Sequence, residues 1–215
     1  MNNSASPRTT VSRGRIRREN EARILEAAER VFAETGLAGA TMAQIAQAAD
    51  LPKANLHYYF GSKKDLYRAV LDRTLRTWLE PTHGITPQAD PRTALEGYIR
   101  DKMRLVMQRP HASRVFANEL LHGAVEIHDL LATTLRALVL EKAAVIDLWI
   151  AQGRMAPVDS LHLFFTIWAA TQTYADFDVQ VCAVIGRPSQ DEAQQQRATE
   201  HVVSLILRGC VWLIC

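Results

Sequence analysis

The chain has little cysteine. Cys182, Cys210 and Cys215 are the only three in 215 residues, an odd number with no metal-knuckle spacing, so neither a disulfide framework nor a zinc site is encoded. They read as reduced thiols, Cys182 in or near a core and Cys215 at the terminus, open to oxidation. No run of about 18 apolar residues suggests a membrane span. The polar opening stretch is not followed by the apolar segment of a signal peptide. Glycine is sparse, and no GxGxxG, Walker-type loop, GxSxG elbow or HExxH occurs, which removes the usual signatures of nucleotide binding, hydrolysis by a nucleophile elbow and zinc proteolysis. Internal repeats and low-complexity tracts are also missing. What remains is a reading of a cytoplasmic, 48% hydrophobic chain able to bury one large or two small cores.

The stretch from Thr41 to Leu66 carries the densest local information. Thr41 with Gln44 forms a capping box and starts a helix near Met42 whose apolar positions are Ile45, Ala48 and Ala49. Two turns of helix are too short to stand alone. Pro52 can occupy only a first turn, so a second short helix runs from about Lys53 to Tyr59. Ser62 with Asp65 is a further capping-box match, opening a helix that turns Leu66, Val70 and Leu71 inward. The rings of His57-Tyr58-Tyr59-Phe60 can anchor the middle helix while a phenol or imidazole reaches outward. Two short helices about a tight turn form the layout of a helix-turn-helix reader.

Charge separates this from an ordinary helical hairpin. Residues 1–64 hold ten Lys and Arg against six Asp and Glu, net +4; residues 65–215 hold fifteen against seventeen, net −2, together the +2 of the whole chain. Arg8, Arg13, Arg15, Arg17 and Arg18 fall in an acid-free stretch suited to phosphate attraction. Double-stranded DNA is the expected partner. Thr41, Lys64 and the N-terminal arginines are placed at phosphates, and Lys53, Ala54, Asn55, His57 and Tyr58 toward the major groove. Tyr59 falls at its edge or on the backbone, and Asn55 is the candidate adenine reader.

The string RILEAAERVFAETGLAGATMAQIAQAADLPKANLHYYFGSKKDLYRAV, from Arg23 to Val70, resembles the DNA-binding domain of the TetR family of transcriptional regulators. The shared features are the ILEAA first helix, the Gly36 stop, the Thr41 cap and the YYFGSKKDL block; Pro52 stands where a Ser-type cap is common. The resemblance implies an all-α protein that binds palindromic operators as a homodimer and is most often a repressor.

Punctuation at Pro81, Gly84, Pro91, Pro110, Gly123, Gly153 and Gly186 divides the remainder. It predicts nine helices, near 13–35, 42–49, 53–59, 62–82, 91–108, 110–122, 126–152, 159–179 and 189–212, with a loose linker at 82–90. Residues 1–12 read as a disordered basic arm, 13–61 as a three-helix helix-turn-helix domain, and 62–215 as a C-terminal helical ligand-binding and dimerisation domain, with helix 62–82 connecting. The last two helices are apolar over more than one face, through Leu161, Phe164, Phe165, Ile167 and Trp168 and then from Val202 to Ile214. Such surfaces need two neighbours. A two-fold four-helix interface would supply the second, and an intrachain core is the alternative.

TWLEP at 77–81, EGYIRDKM at 96–103, RPHASRVFANELLHGA at 109–124 and LHLFFTIWAATQTYADF at 161–177 further resemble the RutR-type branch of the family. This implies response to a pyrimidine such as uracil or thymine and control of pyrimidine or related nitrogen metabolism. Helical steps from Phe164 and Trp168 reach Thr171, Gln172 and Tyr174, polar groups on an inward face that need partners. Trp168 or Trp78 offers a stacking face, and the Gln172 amide a donor and acceptor for an imide edge. In that branch the matching tryptophans and glutamine line the pocket. Lys102 is a candidate to meet a ligand carbonyl, although a helical lysine beside Asp101 and Arg104 is more often solvated. Other effectors, or neighbouring helices alone, would satisfy the same groups.

An enzyme is the remaining alternative. Glu119-x-x-His122 has the spacing of half a di-metal site, but Asp159-x-x-His162 is its nearest companion and Asp159 suits a helix cap. His111, His122 and His128 share a region without a ligand pattern. No cofactor, metal or catalytic residue is expected.

Overall fold

The computed structural model describes residues 8–189 and 191–211, with side chains from Gly14 onward. The chain forms two compact units that divide between Leu71 and Asp72. The division falls inside α4 (Lys63–Leu79), the helix expected to connect them.

The first unit contains α1 (Arg8–Gly39), α2 (Met42–Ala48), α3 (Lys53–Phe60) and the first turns of α4. Helix α1 takes in Arg8 to Ser12, a stretch expected in the arm. Past Pro7 nothing breaks a helix here, and Arg15 pairs with Glu19 one turn on, 3.5 Å away. Residues 1–7 of the expected arm lie outside the described residues. Gly36 interrupts α1 at φ 68° and ψ 175°, a conformation that glycine enters without a Cβ penalty. Ile24, Ala27, Ala28 and Phe32 make the buried stripe of α1, and Ile45 on α2, Leu56 on α3, and Leu66 and Val70 on α4 are fully buried in the same unit. The Phe32 and Tyr67 rings stand edge to face at 5.0 Å.

The second unit continues from Asp72 through the last turns of α4 and a 3₁₀ turn (Glu80–Gly84) to α5 (Pro91–Gln108) and α6 (Pro110–Leu121). A single α turn, α7 (His128–Leu130), runs through a π-helical turn (Leu131–Leu135) into α8 (Arg136–Ala151); α9 (Ser160–Asp176), α10 (Asp178–Ile185) and α11 (Glu192–Cys210) follow. Counting α7 to α8 as one helix, ten stand among the described residues where nine are expected. The additional one is α10. Phe177 leaves helical geometry at φ −119°, and Gly186 closes α10 in the left-handed region at φ 71°. Asp90, Asp159 and Asp191 cap α5, α9 and α11, accepting the N–H of Thr93, His162 and Gln194.

Helix α5 packs against both α9 and α11. Tyr98, Ile99 and Met103 enter a core shared with Ile146, Trp149, Phe164, Ile167, Val202 and Ile206. The linker expected to be loose is fastened to that core. Ile85 is fully buried, and its carbonyl accepts from Lys142 Nζ at 3.3 Å. Arg154 donates to the carbonyls of Pro87, at 2.9 Å, and Ala89. Long side chains from α8 and the turn after it thus supply donors to the linker's carbonyls, that of the buried Ile85 among them. No helix among the described residues is long and apolar enough to cross a membrane. Cys182 is half-buried and Cys210 buried, its thiol pushed up to about 11 by desolvation; Cys215 and the apolar end of the chain lie outside the described residues.

Candidate functional site

In the first unit the geometry of α2 and α3 follows from local chemistry. The capping box forms as expected: Thr41 Oγ1 accepts from Gln44 N at 3.2 Å, and Gln44 Oε1 accepts from Thr41 N at 2.9 Å. At the other end of α2, Asp50 turns the chain at φ 52°. Arg23 of α1 donates to the carbonyls of Ala49 and Asp50 at 2.8 and 3.3 Å, satisfying acceptors that the helix end leaves open. Lys63 performs the same task before α2, with Nζ 2.8 Å from Ala40 O. Neither residue stands out in the sequence, because both act on distant backbone.

Helix α3 begins at Pro52 without a side-chain cap and buries one residue, Leu56. That single anchor leaves Lys53, Ala54, His57 and Tyr58 exposed and Asn55 half-exposed. Tyr58 is 75% exposed, though aromatic and apolar in bulk. The Asn55 amide makes no hydrogen bond among the described residues and keeps its donors and acceptor for a partner. His57 Nδ1 lies 2.9 Å from Gly61 O, a carbonyl that can only accept, so Nδ1 is the donor of that contact. Tyr59 differs from its neighbour. It is half-buried, its hydroxyl accepts from Asn20 of α1 at 3.4 Å, and its ring sits edge-on to Tyr58. Thr41 is exposed, but its hydroxyl proton is given to Gln44 Oε1 at 2.8 Å; Lys64 is exposed at the start of α4.

The second unit holds a cavity of about 290 Å³. Trp78, Lys102, Trp168 and Gln172, from α4, α5 and α9, line it, closed in by apolar side chains that include Leu75, Phe116, Leu131 and Leu135. Thr171 and Tyr174 do not. Trp168, Gln172 and Phe165 fall on one stripe of α9, whereas Thr171 follows Phe164 and Ile167 into the core. Thr171 Oγ1 donates to its own helix at Ile167 O, 2.8 Å away, which satisfies a fully buried hydroxyl without any ligand. Tyr174 borders a separate small crevice with Met107, Asp178 and Cys182.

The two tryptophans are also not equivalent. Trp168 Nε1 donates to Tyr98 OH at 2.7 Å, and its ring is flanked by Phe165 at 5.5 Å, so the indole plane is set. Burial pushes the Tyr98 phenol up to about 12 while the Trp168 N–H acts the other way. Trp78 meets the Phe116 ring edge to face, and Lys102 Nζ sits 3.5 Å from the ring centroid, so that face does not stack on a ligand. Lys102 is 1% exposed, contrary to the solvated alternative, because α5 turns this position inward with Tyr98 and Met103. Burial pushes its amine down to about 7, and Asp176 at the end of α9 opposes that shift. Asp176 accepts from Ser113 Oγ at 2.5 Å. Sequence reading misses Tyr98, Phe116 and Asp176, although all three lie within the blocks that resemble the RutR-type branch.

The Glu-x-x-His pattern is absorbed by the chain itself. Glu119 Oε1 accepts from Glu126 N at 2.6 Å and His122 Nδ1 lies 2.7 Å from Asn118 O. Asp159 caps α9, and the described residues hold no cluster of potential metal ligands.

Residues 24–70 match the family described as bacterial regulatory proteins, tetR family, and residues 71–212 match the C-terminal region of YcdC-like proteins. The HTH-type transcriptional regulator RutR of Escherichia coli K12 is 42% identical over 202 residues, 94% of this chain and 95% of that protein. The HTH-type transcriptional repressor NicS of Pseudomonas putida is 30% identical over 61% of each chain. Among solved structures, the TetR family regulator PfmR from Thermus thermophilus superposes with a TM-score of 0.67 at 21% identity, covering 86% of this chain and 94% of that one. AibR, solved with isovaleryl coenzyme A and operator DNA, gives 0.66 at 18% identity, covering 86% and 97%; both share the fold. These relatives are transcriptional regulators and not enzymes, and regulators of this kind bind operator DNA and small-molecule effectors, usually as dimers. The chain belongs to the TetR family of DNA-binding transcriptional regulators, as a RutR-like member.

Proposed function

We propose that this regulator is a homodimeric repressor, released from a palindromic operator by a small planar effector of the pyrimidine class, uracil or thymine. The observation that carries the reading is the cavity. At about 290 Å³ it lies at the lower edge of the roughly 300–1,000 Å³ typical of small-molecule sites, which favours one ring over a nucleotide or an acyl carrier. Its polar equipment is sparse: the Lys102 amine as donor, and the Gln172 amide, which makes no hydrogen bond among the described residues. A dioxo ring with an N–H beside each carbonyl answers both groups. The fixed Trp168 ring supplies the stacking face.

On the DNA side, Lys53, Ala54, Asn55, His57 and Tyr58 read the major groove, with Thr41, Tyr59 and Lys64 on the backbone. Paired heads then engage half-sites about 34 Å apart. Dimerisation runs through α9 and α11, where Leu161, Phe165 and Leu205 remain exposed while Val202, Val203 and Ile206 close the intrachain core. Helix α4 carries Lys64 in the first unit and Trp78 in the second, so a shift of α4 on effector binding is the proposed route to lower DNA affinity. Its setting is the cytoplasm, and its targets are genes of pyrimidine or related nitrogen metabolism. Calorimetric titration with uracil, thymine and a panel of purines and hydantoins tests the effector class. Binding confined to purines or hydantoins transfers the cavity to another effector, and binding of none removes it from sensing.

A further inference from the structure

The one charged group in the cavity wall is poorly provided for. Lys102 is buried, and among the described residues its Nζ makes neither a hydrogen bond nor an ion pair; it lies over the face of Trp78, 3.5 Å from the ring centroid. A ring face supports an ammonium by its quadrupole but accepts no hydrogen bond of ordinary strength. Among the described residues no protein acceptor meets the donors of Lys102, and the group lines the cavity.

The charged and titratable groups facing Lys102 are few. From α9 comes Asp176, which is occupied by Ser113 Oγ. Burial pushes its carboxyl up; Ser113, then Lys102 and Arg114, oppose that shift. From α6, Arg114 sits behind Asp176 and 3.8 Å from Asp178. Helix α4 presents Leu75, Trp78 and Leu79, and the π-helical turn presents Leu131 and Leu135, none of which titrates. One turn back on α5, the Tyr98 hydroxyl is engaged by Trp168. Among the described residues Asp176 is thus the one counter-charge, and it forms no ion pair with Nζ.

We propose that effector binding draws one proton into the cavity: an oxo group of the effector seats against Lys102, and the neutral amine takes a proton from solvent to become the ammonium that donates to it. The balance is RNH₂ plus H⁺ giving RNH₃⁺, with the effector unchanged. This rests on the cavity being the effector site, and deepens that reading by making Lys102 the group that selects oxo over amino substituents. An amino group in the same place offers a donor to a donor. Free Lys102 loses its proton through about pH 7, so linkage is absent below that value. Above it, affinity falls about tenfold per pH unit until the complex itself deprotonates.

Calorimetry of the full chain with uracil at about pH 8, in phosphate and in Tris, reads the proton directly, because the two buffers release protons with very different enthalpies. The expected result is an apparent enthalpy that differs between the buffers by close to one proton per site, and no such difference for Lys102→Met. Equal enthalpies with clear binding overturn the proposal and leave the effector reading intact; this outcome includes transfer of an imide proton within the complex. If uracil does not bind, the effector reading fails, and the free protein decides the ionisation. The indole emission of wild type minus that of Lys102→Met, followed against pH, is expected to titrate near neutrality. A midpoint in the ordinary lysine range, about 10, overturns the proposal.

Discussion

Replacing Tyr98 by Phe removes one oxygen, but that oxygen accepts the Trp168 indole N–H at 2.7 Å inside the core. The orphaned donor costs about 1–3 kcal/mol, and for a chain of this size each kcal/mol lowers the melting temperature by about 2–4 °C, so a fall of roughly 2–12 °C is expected. Trp168→Phe strands the Tyr98 hydroxyl instead and leaves space beside an existing cavity. The double substitution leaves neither orphan. Its cost should therefore be smaller than the sum of the singles by about 1–2 kcal/mol. Thermal or urea melts at one fixed protomer concentration measure this, since a dimer's stability moves with concentration. Effector affinity should fall in Tyr98→Phe as well, because the indole plane loses its tether. The reasoning predicts a pH signature too. The buried phenol, pushed up to about 12, holds its proton more tightly folded than unfolded, where it titrates near 10. Its contribution is complete below about pH 10 and declines by up to roughly 1.4 kcal/mol per unit as pH rises toward 12. Tyr98→Phe should lose that alkaline decline. Additivity of the two singles to within about 0.3–0.5 kcal/mol would refute the coupling.

Four further substitutions separate local causes. Asn55→Ala should lose about 1–3 kcal/mol of discrimination at one base position, whereas Lys64→Ala should weaken all sequences alike and lower the salt slope by about one; identical specificity profiles would displace Asn55 as a reader. Arg154→Ala frees the carbonyl of Ala89 and leaves that of Pro87 with the Trp149 indole N–H alone, at 3.4 Å. The expected loss is about 1–2 kcal/mol, with faster amide exchange confined to residues 82–90, and unchanged exchange there would mean that the buried Ile85 alone secures the linker. Gly36→Ala meets open space but must hold φ at 68°, costing about 1–2 kcal/mol; an unaltered melt would show that this turn relaxes freely.

The helix-turn-helix was legible because its determinants are local. Thr41 and Gln44 lie three residues apart, and the spacing of Ile45 and Leu66 states which face is buried. The same holds for Asp159, whose cap announces a helix before any contact is known. Arg23 and Lys63 were not legible, since they satisfy carbonyls 26 and 23 residues away and their own surroundings look like ordinary charged surface. Helix α10 went unread although Asp178 and Gly186 mark its ends, because the apolar pattern of α9 runs past the break at Phe177. In the cavity, helical periodicity placed Trp168 and Gln172 but could not distinguish their stripe from that of Thr171, one residue's step or about 100° away around the helix. Lys102 shows the limit most clearly. Its neighbours Asp101 and Arg104 are solvated, and only the packing of α5 against α9 places it beneath Trp78.

The central claim is that one cavity in the second unit controls DNA affinity in the first. It is tested most directly by titrating the protein onto an operator selected from random duplexes, with and without saturating uracil. The expected result is a palindromic site whose binding midpoint moves about 5–150-fold to higher protein concentration when uracil is present, with little movement in Gln172→Ala. A midpoint that stays in place while calorimetry shows uracil bound would contradict the account.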